Sequence, residues 1–428
     1  MKKSLFALAA VGALAGTAQA QSSVTVYGIF DIGVTGGNDR VGTGSAIGTT
    51  NNAPGTIKTT AMAVAQSGES TSRLGFKGSE DLGGGLSAVF TIETALAPSS
   101  TSSVTLISTT RQAFVGLKKN GVGSFLAGTQ NTTIYDAVLA SDPSGVNNYA
   151  GNLITTNQVS GAGQAAASSN TAGTYGLASN ISYNTRVANA LQFKSESFSG
   201  VTVRAMVLGA VKNSSVTTNS GAGAGSGGVS NVTGGGLGLD YTWSKLNVTA
   251  NYQQFNAYAN DKVAASTTAV MFGAGTDSNV GSTSAAGTNV NDAGTYLAAN
   301  YDFGILKAYY QYVNRKATQA NNSLYYQKYS ANQIGVNSYI TPTVQVWASA
   351  AVGKFQPEAA FNASGNVYTP GSTNLTAFQI GSNYWLSKRT NLYAIYGQAA
   401  QSNQAFTSGA NPISYNINNY GVGVRHTF

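Results

Sequence analysis

The last nine residues, Tyr420-Gly421-Val422-Gly423-Val424-Arg425-His426-Thr427-Phe428, decide the fold class. Side chains along a strand point alternately to its two faces. Here Tyr420, Val422, Val424, His426 and Phe428 share one face, and Gly421, Gly423, Arg425 and Thr427 share the other. A strand with one apolar and one small or polar face suits a wall between lipid and water. The opposite end agrees: Met1 to Ala20 carries Lys2 and Lys3, an apolar run from Leu5 to Leu14, and the small-residue ending Ala18-Gln19-Ala20. That pattern predicts a secretory signal peptide over 1–20, removed before Gln21, and a single barrel domain over 21–428. Export combined with an amphipathic terminal strand predicts the outer membrane of a Gram-negative bacterium.

Composition fits a barrel. The chain of 428 residues has 52 glycines, 23 tyrosines and only 9% charged residues, with a mean hydropathy near zero. Outside the predicted signal, no apolar stretch is long enough to span a bilayer as a helix, whereas a large barrel dilutes its apolar residues by alternation. No cysteine is present, which excludes disulfides, thiolate metal sites and cysteine nucleophiles. The formal charge of +8 becomes +6 when Lys2 and Lys3 leave with the signal. The remaining basic residues are scattered, and with export this argues against a nucleic-acid partner.

Sixteen amphipathic segments are predicted, at 24–34, 71–78, 85–96, 110–118, 121–129, 187–196, 201–211, 234–243, 246–256, 294–302, 305–316, 328–340, 343–354, 374–386, 390–400 and 415–428. In 201–208, Val201, Val203, Ala205 and Val207 alternate with Thr202, Arg204 and Met206. Alternation over about ten residues is the signature of barrel strands. Seven connections are short and rich in Gly, Pro, Asn and Ser: 78–84, 119–120, 198–200, 244–245, 303–304, 341–342 and 387–389. Eight are long: 35–70, 97–109, 130–186, 212–233, 257–293, 317–327, 355–373 and 401–414. Seven turns and eight loops are what sixteen up-and-down strands need, so the expected fold is an all-β transmembrane antiparallel barrel with short turns at one rim and long loops at the other. Loop 130–186 is the longest. Before Arg186 it has no Lys or Arg and only two acids, Asp136 and Asp142, which flank the apolar Ala137-Val138-Leu139-Ala140. A loop with its own apolar cluster is expected to fold into the lumen.

At Ser72-Arg73-Leu74-Gly75-Phe76-Lys77-Gly78-Ser79-Glu80-Asp81-Leu82-Gly83-Gly84-Gly85-Leu86 the chain resembles the general porins of β-proteobacteria. Further matches are Ser23-Val24-Thr25-Val26-Tyr27-Gly28, Arg111-Gln112-Ala113-Phe114-Val115-Gly116-Leu117, Tyr135-Asp136 with Asp142-Pro143, Phe198-Ser199-Gly200, Leu386-Ser387-Lys388-Arg389-Thr390 and Gly423-Val424-Arg425-His426-Thr427-Phe428. The resemblance implies a sixteen-stranded homotrimeric porin whose third long loop, 130–186, folds inward as a constriction. It implies passive diffusion of small hydrophilic solutes, with basic side chains on the wall facing acidic groups and the inward loop. By motif, Arg73, Arg111 and Arg186 take the basic places, and Glu93, Asp136 and Asp142 the acidic ones.

Face parity is an independent test. An Arg or Lys on the lipid face near the bilayer midplane costs about 2–4 kcal/mol, so a mid-strand charge turns inward. With Leu74 and Phe76 toward lipid, Arg73 and Lys77 face the lumen; with Leu191 and Phe193 outward, Lys194 and Glu196 face in. Arg204, Lys307 and Glu93 are inward by the same rule. The parity of Arg111 is ambiguous, because Ala113 and Val115 could face a packed loop or a neighbouring subunit. Lys77, Lys194, Arg204 and Lys307 are expected as further lumen charge, whether filter or mere solubilising lining. Arginine carries a permanent charge and its fork can hold a carboxylate or phosphate in passing. A ring of basic groups in a narrow pore favours anions, so weak to moderate anion selectivity is expected.

His426 is the one histidine and lies on the terminal strand. Tyr420, Val422, Val424, His426 and Phe428 are expected to form the signal read by the outer-membrane barrel assembly machinery. A single histidine on that face supplies no base for a lumen or rim site, so neither an enzyme nor a cofactor or metal is expected. Gly83-Gly84-Gly85 is a tight turn, because no helix follows it and the phosphate-loop spacing is missing. Tyr301, Tyr309, Tyr310, Tyr384, Trp385, Tyr393 and Tyr396 read as interfacial girdles; Tyr309 and Tyr393 share inward parity and would alternatively form a sugar-stacking track. Expected partners are the lipid bilayer and lipopolysaccharide, further copies of the chain, and small hydrophilic solutes and anions. Two competing classes are a substrate-specific channel with a solute-binding site and a plugged structural or adhesive barrel.

Overall fold

A computed structural model describes residues 23–43, 55–99, 107–155, 185–214, 228–259, 288–319, 323, 326–357, 360–361, 367–368, 372–404 and 413–428. The predicted signal peptide lies outside the described residues. The elements in order are β1 (Ser23–Thr43), β2 (Gly55–Gln66), β3 (Arg73–Gly83), β4 (Leu86–Leu96), β5 (Ile107–Lys119), β6 (Gly123–Asn131), a helix α1 (Thr133–Ser141), β7 (Arg186–Ser195), β8 (Val201–Ser214), β9 (Gly228–Trp243) and β10 (Leu246–Ala259). They continue with β11 (Thr288–Asp302), β12 (Lys307–Gln319), β13 (Tyr326–Tyr339), β14 (Val344–Pro357), the short ribbon β15 (Ala360–Phe361) and β16 (Val367–Tyr368), then β17 (Thr373–Trp385), β18 (Thr390–Gln404) and β19 (Ile413–Thr427). Seventeen of these strands form one antiparallel sheet. β2 and β3 lie end to end beside β1, 55–66 against 32–43 and 73–79 against 23–29. The sheet is therefore a closed barrel of sixteen staves.

Closure is made by the two ends of the sheet. β19 pairs with β1 from Thr427 opposite Ile29 to Tyr415 opposite Val41. The N–H of Phe428 donates to the carbonyl of Gly28, and the N–H of Gly28 donates back, both at 3.1 Å. The Phe428 ring lies 5.7 Å from that of Phe30. A Cβ on Gly28 would stand 2.3 Å from the Phe428 ring and 2.6 Å from the Arg73 carbonyl oxygen, so the terminal residue seats only beside a glycine.

Each predicted segment coincides with a stave, most of them shorter than the strand found. Two expectations are corrected. The region 35–70 is not all loop: β1 runs on to Thr43 and β2 fills 55–66. Ala61, Ala63 and Ala65 put small apolar groups on the inner face of β2 while Met62 and Val64 point out, so the two faces barely differ in hydropathy. The turn expected at 78–84 is strand as far as Gly83; the chain reverses at Gly83, Gly84 and Gly85, whose φ angles of +86°, +58° and +74° are open to glycine.

The wall is inverted relative to a soluble protein. Ile334, Val352, Ile380 and Val422 are 55–63% exposed, whereas Gln311, Gln333 and Gln379 are buried. Exposed aliphatics outside and paired amides inside are what lipid requires, and closure leaves the ladder no open edge. The apolar core lies within the barrel. Ile134, Ala137, Val138, Leu153 and Ile154 pack against inward residues of β11 to β19, among them Tyr296, Val313, Ala331, Leu375 and Ile417.

Candidate functional site

Residues 132–155 hold to the inner wall through a continuous set of polar contacts. Thr132 caps α1, its hydroxyl accepting from the Tyr135 N–H at 3.1 Å, and Asp136 sits in the first turn, where a negative charge suits the helix dipole. Asp142 ends the helix. Its carboxylate accepts from the N–H groups of Ser144 (2.9 Å) and Val146 (3.1 Å), the Ser144 hydroxyl (2.5 Å) and the Asn152 amide (2.7 Å). The segment then meets the wall. Asn337 donates to the Pro143 carbonyl (2.9 Å), Asn147 and Gln379 exchange bonds (2.7 and 2.8 Å), the Ala150 N–H donates to Asn419 (2.8 Å), and the Tyr149 hydroxyl lies 3.0 Å from that of Thr35. Every partner is an inward residue, on β13, β17, β19 and β1. The arc of wall from β3 to β7 carries Arg73, Arg111 and Arg186.

Glu93 of β4 is the centre of that arc. It accepts from Nε of Arg111 at 2.6 Å and from the Tyr27 hydroxyl at 3.0 Å, and Nη1 of Arg73 stands 3.8 Å away. Arg73 also donates from Nε to the Thr71 carbonyl (2.9 Å). Arg186, at the start of β7, lies 5.4 Å over the Tyr135 ring of α1, within reach of the charges of Arg111 and Glu93. The Lys77 ammonium stands 5.3 Å from the Tyr27 ring. Arg73 and Arg111 thus share one carboxylate, with Arg186 over Tyr135 and Lys77 over the Tyr27 ring that bonds the same carboxylate, so this stretch of wall carries an excess of positive charge.

The parity of Arg111 has a structural answer. Glu93 pairs with Gln112 while the next residue, Thr94, pairs with Thr110, so Arg111 is the extra residue of a β-bulge. Val115 and Leu117, which share its odd numbering, are exposed on the lipid face. The bulge re-aims the side chain and brings Arg111 inside.

The other expected site residues are placed as follows. Asp142 is buried and its oxygens are occupied within the segment and by Gln333 (3.4 Å), so it staples the segment to β13. Asp136 accepts from Asn131 at 2.9 Å. Burial pushes its carboxyl above the usual carboxylate range, against the pull of the Asn131 bond and of Arg204 and Lys194. Arg204 is buried and paired with Asp240, a fixed ion pair rather than free lumen charge. Lys194 is exposed, and the Lys307 ammonium lies 5.2 Å over the Tyr309 ring. His426 is exposed on the outer face with Nδ1 2.9 Å from the Thr390 hydroxyl. Of the expected girdle, Tyr301, Tyr310 and Tyr384 do face outward. Trp385 and Tyr393 do not: Trp385 lies beneath Arg425 at 6.0 Å, and the Tyr393 hydroxyl donates to Asp31 at 2.7 Å. Tyr309 is inward too, as its contact with Lys307 requires.

Several charged residues went unpredicted. Asp31 also accepts from the Ser70 N–H (2.6 Å). Glu69, in the break between β2 and β3, accepts from Asn383 and Asn391 (2.8 Å each) and from Arg425 (3.3 Å). Arg315 donates from Nε to Asp292 at 2.9 Å. The parity rule applied to Arg204 would have found Asp31, between outward Phe30 and Ile32, and Arg315. Glu69 has no such signal, because no strand period runs through the break.

A family model described as Gram-negative porin matches residues 7–404. An outer membrane porin protein of Bordetella pertussis is 28% identical over 450 residues, covering 100% of both chains. Among solved structures, the anion-selective porin from Comamonas acidovorans matches with a TM-score of 0.59 at 19% identity, over 95% of this chain and 100% of that one. The trimer form of OmpT of Vibrio cholerae matches with a TM-score of 0.56 at 15% identity, over 95% and 99%. At these identities the two structures speak for the fold. With the family match over nearly the whole sequence and a closed barrel whose apolar face is outside, the chain belongs to the Gram-negative porin family and is an outer-membrane channel, not an enzyme.

Proposed function

We propose that the channel is a passive pore for small hydrophilic solutes with weak to moderate preference for anions. The observation that carries this reading is the pairing of both Arg73 and Arg111 with the one carboxylate of Glu93, flanked by Arg186 over Tyr135 and Lys77 over Tyr27. Fixed positive charge in a narrow, low-dielectric passage lowers the barrier for anions and raises it for cations. The stretch 132–155, bonded to the inner wall, supplies the opposite side of the narrowing. The description of the Comamonas relative as anion-selective agrees. A homotrimer is the natural assembly, in keeping with the trimer form of the Vibrio relative, and the strand ending at Phe428 is the segment an assembly machinery would read. Uptake into liposomes of two solutes of equal size and opposite charge tests the selectivity. The anion enters faster through the wild type, and the difference shrinks in R73A/R111A/R186A. Equal rates in the wild type would overturn the reading.

A further inference from the structure

Ser67-Gly68-Glu69-Ser70-Thr71-Ser72 separates the two strands that lie end to end as one stave. With no apolar side chain to give to lipid, these residues turn into the lumen. Ser67 has a φ of +61°, a left-handed backbone that a residue with a Cβ keeps only where its surroundings over-determine it. Its N–H donates to the Asp31 carbonyl at 2.8 Å, and its hydroxyl accepts from the Ser72 N–H at 2.9 Å. A Cβ on Gly68 would stand 2.6 Å from the hydroxyls of both Tyr149 and Tyr393. The break therefore lies between the inward segment, which carries Tyr149, and the wall, which carries Tyr393.

Backbone carbonyls of the break hold both sides of the narrowing. On the inward segment, Asn148 donates its side-chain amide to the Ser67 carbonyl (2.7 Å) and its N–H to the Gly68 carbonyl (3.0 Å). On the arginine arc, Nε of Arg73 donates to the Thr71 carbonyl (2.9 Å). The break is in turn anchored by one buried side chain. Glu69 reaches over the inner faces of β17, β18 and β19 and accepts from Asn383 and Asn391 (2.8 Å each) and from Arg425 (3.3 Å). Three staves thus converge on a residue four places before Arg73.

We propose that Glu69 is a positioning residue of the filter. By anchoring the break it sets where the Arg73 guanidinium stands and how firmly the inward segment is held, and with them the selectivity and width of the passage. It acts by reach and not by charge. As a bare negative charge beside the lumen it would repel anions, and its removal would raise the preference for chloride. As an anchor, its loss lets Arg73 retreat and lowers that preference. The effect on selectivity rests on the reading of Arg73 as part of an anion filter; the effect on width does not.

Reconstituted wild type is compared with E69A, E69D and E69Q by the chloride-to-potassium permeability ratio across a KCl gradient and by single-channel conductance. Aspartate keeps the charge and lacks the reach. Glutamine lacks the charge and keeps the reach, because its amide can donate to the side-chain oxygen of Asn391, which like that of Asn383 has no partner among the described residues. E69A and E69D are expected to lower the ratio roughly twofold, the scale of effect when one fixed charge moves back by a few ångströms, and to give larger, noisier conductance. E69Q holds the wild-type conductance and a ratio at or above that of wild type. With R73A in place, E69D no longer lowers the ratio. If neither E69A nor E69D folds, N383A/N391A, which leaves every charge in place, is expected to reproduce their effect. A ratio that rises in E69A and E69Q alike and keeps its wild-type value in E69D would make Glu69 a mere counter-charge and overturn the proposal. Conductance unchanged in E69A and E69D would overturn it too. Conductance is read whether or not the wild type prefers chloride, so a failure of the anion reading is told apart from a failure of this one.

Discussion

Arg111 donates from Nε to Glu93 across 2.6 Å because a β-bulge leaves Arg111 without a partner in the neighbouring strand. Both side chains are nearly inaccessible, at 10% and 6%. Truncating one member of a buried pair strands the other and costs about 3–5 kcal/mol. R111A is therefore expected to lower the denaturant midpoint of the folded barrel by that order, whereas E93Q, which keeps shape and hydrogen bonding, lowers it less. E93Q also removes the one negative charge of the cluster, so its anion preference should exceed that of the wild type. A cation shift in E93Q would show that Glu93 does not face the permeating ions.

Barrel closure gives a second prediction. G28A puts a methyl group against both the Phe428 ring and the Arg73 carbonyl. The ring can turn aside, but the backbone oxygen cannot. Refolding yield into detergent micelles, read from the heat-dependent gel shift, should fall well below that of wild type. Adding F428A should recover little of it. Full recovery in the double variant would locate the clash in the ring alone.

Gln379 holds the inward segment at three points, donating to the Asn147 side chain (2.8 Å) and to the carbonyls of Tyr149 (3.1 Å) and Ala150 (2.9 Å). Leucine fills similar space and leaves these acceptors unsatisfied, at about 1–3 kcal/mol for a buried group. Q379L should loosen the segment. Larger and noisier single-channel conductance, with faster uptake of a trisaccharide, is the expected result; unchanged traces would mean that the remaining contacts suffice.

Asp136 predicts a pH effect. Its carboxyl is pushed above the usual range by burial, so the folded chain binds that proton more tightly than the unfolded chain does. The stabilisation is fully present below the ordinary carboxylate pKa, near ~3.9, and is lost as pH rises through the raised value. D136N keeps an acceptor for Asn131 and cannot ionise. It should melt higher than wild type at mildly alkaline pH, and the gap should close near pH ~4. A gap of constant size across that range would dismiss ionisation as its cause.

Alternation carried the fold to the reader because a lipid-exposed stave must be apolar on one side. It failed in β2, where alanines blur the two faces, and at the Gly83 turn, where the polar run Ser79-Glu80-Asp81 reads as turn but continues as strand. The site was legible in residue type rather than geometry. Arg73 and Glu93 follow from parity, but Arg111 reaches the lumen only through a bulge, and a bulge has no signature in a single sequence. The sequence likewise could not separate Arg204, neutralised by Asp240, from Lys77, which makes no ion pair among the described residues. Asp142 shows the converse. The family motif offered it as one of the acids of the constriction, and its hydrogen bonds make it a staple.

The most direct test of the central claim is the zero-current potential of reconstituted channels across a tenfold KCl gradient, with R73A/R111A/R186A measured beside the wild type. The account predicts a wild-type potential of the sign set by chloride and its collapse or inversion in the variant. A wild-type potential near zero or of the potassium sign, unchanged by the three substitutions, would contradict it.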